Sequence, residues 1–278
     1  MSAFQNIKRL VVKVGTSTLT YPSGQMHLRR VEALVKVLSD LKNSGIEILL
    51  VSSGAIGVGV GELGLRERPQ DISGKQAAAA VGQCALMYMY DRQFAEYGHV
   101  TAQVLLTRDG VENPVRRRNI ANTFDRLLAY GAIPIINEND TVSTEEIEFG
   151  DNDTLSALVT NLIHADLLIL LSDIDGLYTD DPRKNPNATL VERVTKMDAS
   201  YYAMAKESTG SDVGTGGMAT KLTAARIATL SGADMIIANG QDVGILHEIF
   251  DGNFCGTTFL SNKDEDFYIA DYIEESMD

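Results

Sequence analysis

The stretch with the clearest potential for chemistry is Gly150-Asp151-Asn152-Asp153, where two aspartates flank an asparagine just before an apolar run. Short oxygen-bearing side chains cap a helix N-terminus by accepting backbone N–H bonds, so one of the three is expected to cap a helix that begins here. A helix needs only one such cap, which leaves at least one carboxylate at its open end, where polar ligands bind. The alternative for this stretch alone is a polar loop that merely precedes a helix.

A second stretch, 209–221, has the composition of a phosphate-binding turn. Its glycines allow backbone N–H groups to close around phosphate oxygens, the helix that follows adds positive potential, and Lys221 adds a point charge. It lacks the Gly-Lys-Ser/Thr ending of a P-loop, so that motif does not apply. A surface loop without a ligand is the alternative, and the glycine density just before Thr220, Lys221 and a helix argues against it.

Two further groups of polar residues occur where the pattern predicts strands. Lys13 interrupts the β-branched run from Leu10 to Gly15, and a lysine in a buried strand is unfavourable unless its ammonium reaches a ligand or a carboxylate. Extension of its stem to solvent is the alternative. Asn137-Glu138-Asn139-Asp140 follows the predicted strand 133–136 into a loop. A turn is the alternative, but we interpret this cluster as a ligand clamp, because buried polar pockets specify small polar substrates.

A strand-helix-strand unit near the N-terminus would position some of these groups. Strand 10–15 is followed by a helix over 27–43, in which apolar residues recur every three or four positions, and by strand 46–51, which runs into Ser53 and a small-residue turn. The right-handed crossover of such a unit places both strand ends, Gly15 and Ser53, at one edge of the sheet. Ligands of open α/β sheets bind at that edge.

The rest of the chain continues the alternation of helices and strands. Helix 73–98 has small residues at 77–82, where another helix can approach closely, in the core or at an interface. The further predicted elements are strand 99–106, a helix to Tyr130, strand 133–136, a helix to His164, strand 167–171, a helix to Leu230, and strands 235–238 and 256–260. We therefore predict one continuous α/β domain over residues 1–261, followed by an acidic tail over 262–278.

Composition excludes several functional classes. The 278 residues with 44% hydrophobic content can bury a substantial core, and the net charge of −14 argues against a nucleic-acid or membrane-surface partner. The four histidines are far apart in sequence, so no metal site is predicted. Cys84 and Cys255 are expected to be reduced, buried thiols. Neither a signal peptide nor a membrane span fits the N-terminus, and we expect a cytoplasmic protein.

These features together suit phosphoryl transfer. They are two lysines at opposite ends of the chain, the glycine-rich turns after Ser53 and at 209–221, and the carboxylates between them. Charge on the transferred group is spread over its equatorial oxygens, so an enzyme's task is positioning and electrostatic stabilisation rather than covalent chemistry. Two lysines can bridge the attacking and leaving sides of the transferred phosphoryl group. A carboxylate must then hold the two lysines apart and in place.

The ordered motifs of the chain resemble the amino acid kinase family from residue 8 to about 260, and within it the members that phosphorylate glutamate. These motifs are Val12-Lys13-Val14-Gly15-Thr16-Ser17, Val51-Ser52-Ser53-Gly54-Ala55-Ile56, Lys75-Gln76 with Ala80-Val81-Gly82-Gln83, Leu105-Leu106-Thr107-Arg108, Ile136-Asn137-Glu138-Asn139-Asp140, Gly150-Asp151-Asn152-Asp153 with Leu155-Ser156-Ala157-Leu158, Gly176-Leu177-Tyr178-Thr179 with Asp181-Pro182, and Gly214-Thr215-Gly216-Gly217-Met218 with Thr220-Lys221. Eight motifs in this order are highly specific. The resemblance implies a three-layer αβα sandwich with a central, mainly parallel sheet.

The resemblance also implies roles for individual residues. Lys13 and Lys221 would contact the ATP phosphates, and Asp153 would orient both lysines. Glutamate would be held by Ser53, Asp140 and Asn152, supported by Asn137 and Asp151. The nucleotide site would be lined by Gly15, Ser172, Asp173, Thr215, Gly216, Gly217, Met218, Ala219, Thr220 and Lys221. No protein-bound metal is implied, since the magnesium that the family requires is carried by ATP.

The implied reaction is ATP-dependent phosphorylation of the γ-carboxylate of L-glutamate to L-glutamyl 5-phosphate, the first step of proline biosynthesis. The carboxylate is already a nucleophile at neutral pH, so no general base is needed. The resemblance also implies feedback inhibition by proline and a homo-oligomer, a dimer or a tetramer. Many members carry a C-terminal PUA domain of the kind found in RNA-modifying enzymes. This chain stops soon after the kinase motifs, and we expect no function tied to such a domain.

Two alternatives to this function remain at the level of the sequence. Another member of the superfamily could act on N-acetylglutamate, carbamate or a nucleotide monophosphate, but an acetylated amine has no charge for Asp140 to meet. The other alternative is a non-catalytic sensor that binds ATP or glutamate, which would be signalled by loss of Lys13, Asp153 or Lys221. Serine at position 172, where threonine is more usual, keeps the hydroxyl group.

Overall fold

A computed structural model of the chain describes residues 4, 6–142, 152–198, 200–202, 204, 217–267 and 269. Its strands are β1 (Arg9–Val14), β2 (Glu47–Ser52), β3 (Thr101–Leu106), β4 (Ile133–Glu138), β5 (Leu167–Ser172), β6 (Arg193–Val194), β7 (Asp234–Asn239) and β8 (Gly256–Phe259). Its helices are α1 (Thr16–Leu19), α2 (Leu28–Asn43), α3 (Ala55–Glu62), α4 (Ile72–Ala95), α5 (Arg108–Glu112), α6 (Pro114–Ala129), α7 (Asn152–Leu162), α8 (Met218–Leu230) and α9 (Ile245–Asp251).

Among the described residues, eight strands form one sheet in the order β3-β4-β2-β1-β5-β7-β8-β6. The pairings from β3 through β7 in this order are parallel, and β8 runs antiparallel to β7. The prediction of a mainly parallel sheet is therefore confirmed. Strand β1 lies in the middle, between β2 and β5, where its β-branched residues are buried on both faces.

Helices cover both faces of the sheet, which confirms the three-layer αβα arrangement. Alternate residues of β1 belong to different cores: Leu10 and Val12 pack with residues of α2, α4 and α9, whereas Val11 packs with residues of α6, α7 and α8. Successive side chains of a strand point to opposite faces, so Lys13 lies on the same face as Val11. The strand thus directs Lys13 towards the layer that contains α7 and α8.

The carboxyl ends of the central strands lie side by side. Val14 of β1 is in register with Ser52 of β2 and with Leu171 of β5, so the residues that follow these strands emerge together, as predicted for the strand-helix-strand unit. Strand β4 differs from the prediction because it continues to Glu138. Asn137 therefore belongs to the strand and not to the loop, since pairing with β3 extends through both residues.

Other features also differ from the sequence-based expectations. Neither β6 nor α9 was predicted, because two and seven residues are too short for a clear periodicity. The expectation of buried thiols is wrong, since Cys84 and Cys255 are both exposed. Cys84 shares the outer face of α4 with Val81 and Tyr88, which are also exposed. Cys255 lies in the short connection between α9 and β8.

The small residues of α4 are used inside the fold, where α3 and α4 touch. A Cβ atom built on Gly82 of α4 would lie 1.7 Å from the carbonyl oxygen of Ala55 in α3. One built on Gly59 of α3 would lie 1.8 Å from the carbonyl oxygen of Ala78 in α4. Atoms cannot approach so closely, so both positions require glycine, and the predicted close approach of a second helix is confirmed.

We expect Gly59→Ala to lower the free energy of unfolding by about 3 kcal/mol, because its methyl group forces the backbones of α3 and α4 apart. Urea denaturation followed by circular dichroism measures this as a lower midpoint with an unchanged slope.

Gly57→Ala in the same helix is the matched control. A Cβ atom there would meet the methyl group of Thr16 at 3.4 Å, an ordinary contact. Alanine is favoured over glycine in a helix by about 1 kcal/mol, so we expect unchanged or slightly increased stability. Equal destabilisation by both substitutions would contradict the helix contact as the cause.

Candidate active site

A cluster of ion pairs lies at the carboxyl edge of the sheet, where β1, α7 and α8 meet. Lys13 Nζ lies 2.6 Å from Oδ1 of Asp153, and Lys221 Nζ lies 3.0 Å from Oδ2 of the same carboxylate. Asp153 is 0% exposed, Lys13 9% and Lys221 5%. One buried carboxylate therefore bridges two ammonium groups from opposite ends of the chain.

The local structure explains how these three residues meet. Lys13 projects from β1, whereas Asp153 and Lys221 lie in the first turns of α7 and α8, which pack against each other. The hydroxyl of Ser156 donates to the backbone carbonyl oxygen of Asp153 at 2.6 Å. The hydroxyl of Thr220 donates to the carbonyl oxygen of Gly217 at 2.8 Å and also lies 3.3 Å from Oδ2 of Asp153. The bonds of Ser156 and Gly217 lie within the first turns of α7 and α8, and Thr220 and Lys221 connect α8 to the carboxylate.

The cluster carries a net positive charge. Burial alone would raise the pKa of Asp153, but the ammonium groups of Lys13 and Lys221 outweigh this effect and hold the pKa well below its ordinary value. Two lysines against one ionised aspartate leave one positive charge, to which the N-termini of α7 and α8 add positive potential. The arrangement favours a bound anion such as a phosphoryl group. Lys13 also reaches a carboxylate rather than solvent, as its position in a buried strand requires.

A group of hydrogen-bonded polar side chains lies beside this cluster, where β2, β4 and α7 meet. Asn152 donates through Nδ2 to Ser53 Oγ at 2.8 Å and to Asn137 Oδ1 at 3.0 Å. Asn137 is 3% exposed and donates to Gln83 Oε1 at 2.9 Å. The fold thus brings together Ser53, Asn137 and Asn152, three of the residues expected to form the substrate pocket.

Several residues expected to line a nucleotide site lie at the same edge. Ser172 ends β5 beside β1, and its hydroxyl donates to Asp173 Oδ1 at 3.2 Å. Gly15 follows β1 directly, and a Cβ atom on it would lie 3.9 Å from Lys13 Nζ. Residues 217–220 lead into and begin α8, next to the ion-paired cluster.

Three expected site residues, Asp151, Thr215 and Gly216, lie outside the described residues. Asp140 lies two residues beyond β4 and is partly buried. Sequence reasoning assigns no role to Gln83, because it lies inside a helix, 54 residues before its partner Asn137. The one sequence signal that Gln83 is buried is the preceding Gly82. A glycine within a helix indicates that another element packs closely there, and its contact with α3 places this part of α4 in the interior.

Within the described ranges, no three His, Cys, Asp or Glu side chains are grouped closely enough to hold a metal ion. Both oxygens of Asp153, the carboxylate at the centre of the cluster, already face lysines.

No helix among the described residues combines the length and the apolar character needed to cross a membrane.

Comparison with known sequences gives a family match over most of the chain. The amino acid kinase family matches residues 8–239. The chain is 54% identical to the glutamate 5-kinase of Clostridium perfringens over 267 residues, which are 95% of this chain and 99% of that protein. It is 51% identical to the glutamate 5-kinase of Listeria welshimeri over 266 residues, 94% of this chain and 96% of that protein.

Comparison with solved structures shows the fold. The isopentenyl phosphate kinase of T. acidophilum, in a product complex, superposes with a TM-score of 0.62 at 18% identity, covering 91% of this chain and 100% of that one. The carbamate kinase of Giardia lamblia, bound to AMP-PNP, superposes with a TM-score of 0.63 at 16% identity, covering 94% of this chain and 100% of that one. At these identities the likeness shows a shared fold alone.

Proposed function

The chain belongs to the amino acid kinase family, and on that premise we propose that it transfers the γ-phosphoryl group of ATP to the γ-carboxylate of L-glutamate. The product is L-glutamyl 5-phosphate, and the reaction is the first step of proline biosynthesis. The observation that carries the proposal is the buried cluster of Lys13, Asp153 and Lys221. The name glutamate 5-kinase, carried by relatives about half identical to this chain, supports the choice of substrate.

Lys13 and Lys221 contact the phosphates in this proposal, and Asp153 positions both of them. Charge spreads over the oxygens of the phosphoryl group during transfer, and fixed positive groups in a water-poor site stabilise it without reorganisation. Each ammonium is held by a different oxygen of the same carboxylate, so the two cations are fixed relative to one another before the nucleotide binds. Ser172, Asp173 and residues 215–221 line the nucleotide.

ATP is bound as its magnesium complex. The described residues fit a metal carried by the nucleotide, because both oxygens of Asp153 are engaged by lysines and Mg²⁺ binds readily through phosphate oxygens and water. When bound, Mg²⁺ neutralises charge on the β- and γ-phosphate oxygens.

Glutamate fits the polar group next to the cluster. Its γ-carboxylate is ionised at neutral pH and is already a nucleophile, so the transfer needs no general base. Its α-ammonium needs acceptors, which Asp140 and the carbonyl oxygen of Asn152 supply, and the hydroxyl of Ser53 can donate to a carboxylate. Asn137 and Asp151 support the pocket. N-acetylglutamate has no positive charge for Asp140, and it is the less favoured substrate.

The proposal is tested by measuring ADP release by the purified protein with Mg-ATP, with glutamate and N-acetylglutamate offered in parallel and any acyl phosphate trapped with hydroxylamine. We expect hydroxamate from glutamate alone. Hydroxamate only from the acetylated substrate would contradict the role of Asp140, and no product from either would favour a non-catalytic sensor.

Lys221→Met keeps the aliphatic stem but removes the charge that stabilises the transferring phosphoryl group. We expect kcat to fall about 100-fold or more, with the KM for glutamate changed by less than about threefold, because the lysine acts on the phosphate side. Steady-state ADP release with varied glutamate measures both constants.

Lys36→Met is the matched control, since Lys36 is exposed on α2 and should leave both constants unchanged. A Lys221→Met protein that keeps wild-type kcat would remove the basis of the proposed mechanism.

The proposal also covers regulation, assembly and location. Proline carries an ammonium and a carboxylate, so it can compete for Asn152 and Ser53 as a feedback inhibitor. We further propose a homo-oligomer and a cytoplasmic location, where ATP and glutamate are available.

Residues 1–261 form the catalytic domain in this proposal. Segment 262–278 follows it, and of its described residues Phe267 and Ile269 pack with the core cluster that contains residues of α6, α7 and α8.

A further inference from the structure

We propose that Gln83 is a positioning residue for glutamate, which acts through Asn137 without touching the substrate. This inference rests on the proposed function, since it concerns the same pocket. Gln83 lies in α4, is 8% exposed, and accepts a hydrogen bond through Oε1 from Asn137 Nδ2 at 2.9 Å.

The backbone fixes the orientation of the Asn137 carboxamide. The N–H of Glu138 can only donate, and it lies 2.9 Å from the Asn137 side chain, so the atom that faces it must be Oδ1. Nδ2 of Asn137 then faces Gln83, which must present an oxygen to it. An acceptor at position 83 therefore stabilises one of the two orientations of this carboxamide.

The orientation of Asn137 determines that of Asn152. Oδ1 of Asn137 also faces the Asn152 side chain at 3.0 Å, so the facing atom of Asn152 must be its donor, Nδ2. The same Nδ2 donates to Ser53 Oγ at 2.8 Å. Oδ1 of Asn152 consequently points away from both Asn137 and Ser53. Because Ser53 accepts the bond from Asn152 through its oxygen, its hydroxyl hydrogen can be donated to another group.

The resulting polarity matches an amino acid. Asn152 presents a carbonyl oxygen, which attracts an α-ammonium, and Ser53 presents a hydroxyl hydrogen, which suits a carboxylate. The opposite orientation of Asn152 would present an amide N–H to the ammonium and repel it. Loss of the acceptor at position 83 leaves the buried N–H of Asn137 unpaired, which favours rotation of Asn137 and with it the reversed pocket.

Gln83→Met tests this inference, since methionine is similar in length but is at best a weak acceptor. We expect the KM for glutamate to rise about tenfold, with the KM for ATP changed by less than about twofold, because the chain of hydrogen bonds ends in the glutamate pocket. Gln83→Glu keeps an oxygen for Asn137 and should hold the KM for glutamate within about threefold of wild type.

A double-mutant cycle separates positioning from general destabilisation. In an Asn137→Ala background, Gln83→Met should have no further effect on the KM for glutamate, because the residue through which it acts is gone. Gln93→Met is the control for loss of a glutamine from the same helix, about 15 Å further along, and should leave that KM unchanged. Its buried Oε1 has no hydrogen-bond partner among the described residues.

The outcomes are distinguishable from those of the proposed function. An active wild-type protein whose KM for glutamate is the same with Gln83→Met would overturn this inference alone. A tenfold effect that persists in the Asn137→Ala background would overturn it too, since Gln83 would then act by another route. The shift of the thermal midpoint by glutamate gives a second reading that does not need turnover, and it should shrink in Gln83→Met but not in Gln83→Glu. A wild-type protein that neither turns over nor is stabilised by glutamate would overturn both proposals.

Discussion

The structure of the site depends on one carboxylate held between two buried lysines. Asp153 without partners would be strongly unfavourable at its depth, and so would either lysine alone. The three charges are therefore tolerated only where β1, α7 and α8 meet. This requirement explains why a lysine can occupy a central strand: the alternation of β1 directs it to the layer where both helices begin.

The first turn of α7 joins the phosphate side of the site to the substrate side. Consecutive residues of a helix point about 100° apart, so neighbours in sequence face different surroundings. Asp153 faces the two lysines, whereas Asn152 faces Ser53 and Asn137 at the ends of β2 and β4. A shift of this turn would therefore change both sides together, which keeps the proposed nucleophile and the transferred group in a fixed relation.

The sequence predicts those parts of the site that follow from periodicity and from the direction of strands. The unfavourable Lys13, the common edge of β1 and β2, and the helix that begins at the Asp-Asn-Asp stretch all follow from local pattern. Gln83 and the extension of β4 through Asn137 depend on contacts between distant parts of the chain, which no local pattern reveals. The exposure of Cys84 is likewise not revealed by local pattern, because the position of α3 determines which face of α4 is buried.

The contact between α3 and α4 connects this packing to the proposed glutamate pocket. Gly82 touches the carbonyl oxygen of Ala55, so the two backbones are fixed relative to each other at that point. Ser53 lies two residues before Ala55, and Gln83 follows Gly82 directly. Both ends of the hydrogen-bonded chain from Ser53 to Gln83 are thus attached to the same glycine contact. The small residues of α4 therefore have a consequence beyond stability, because the spacing they permit decides whether Gln83 can reach Asn137.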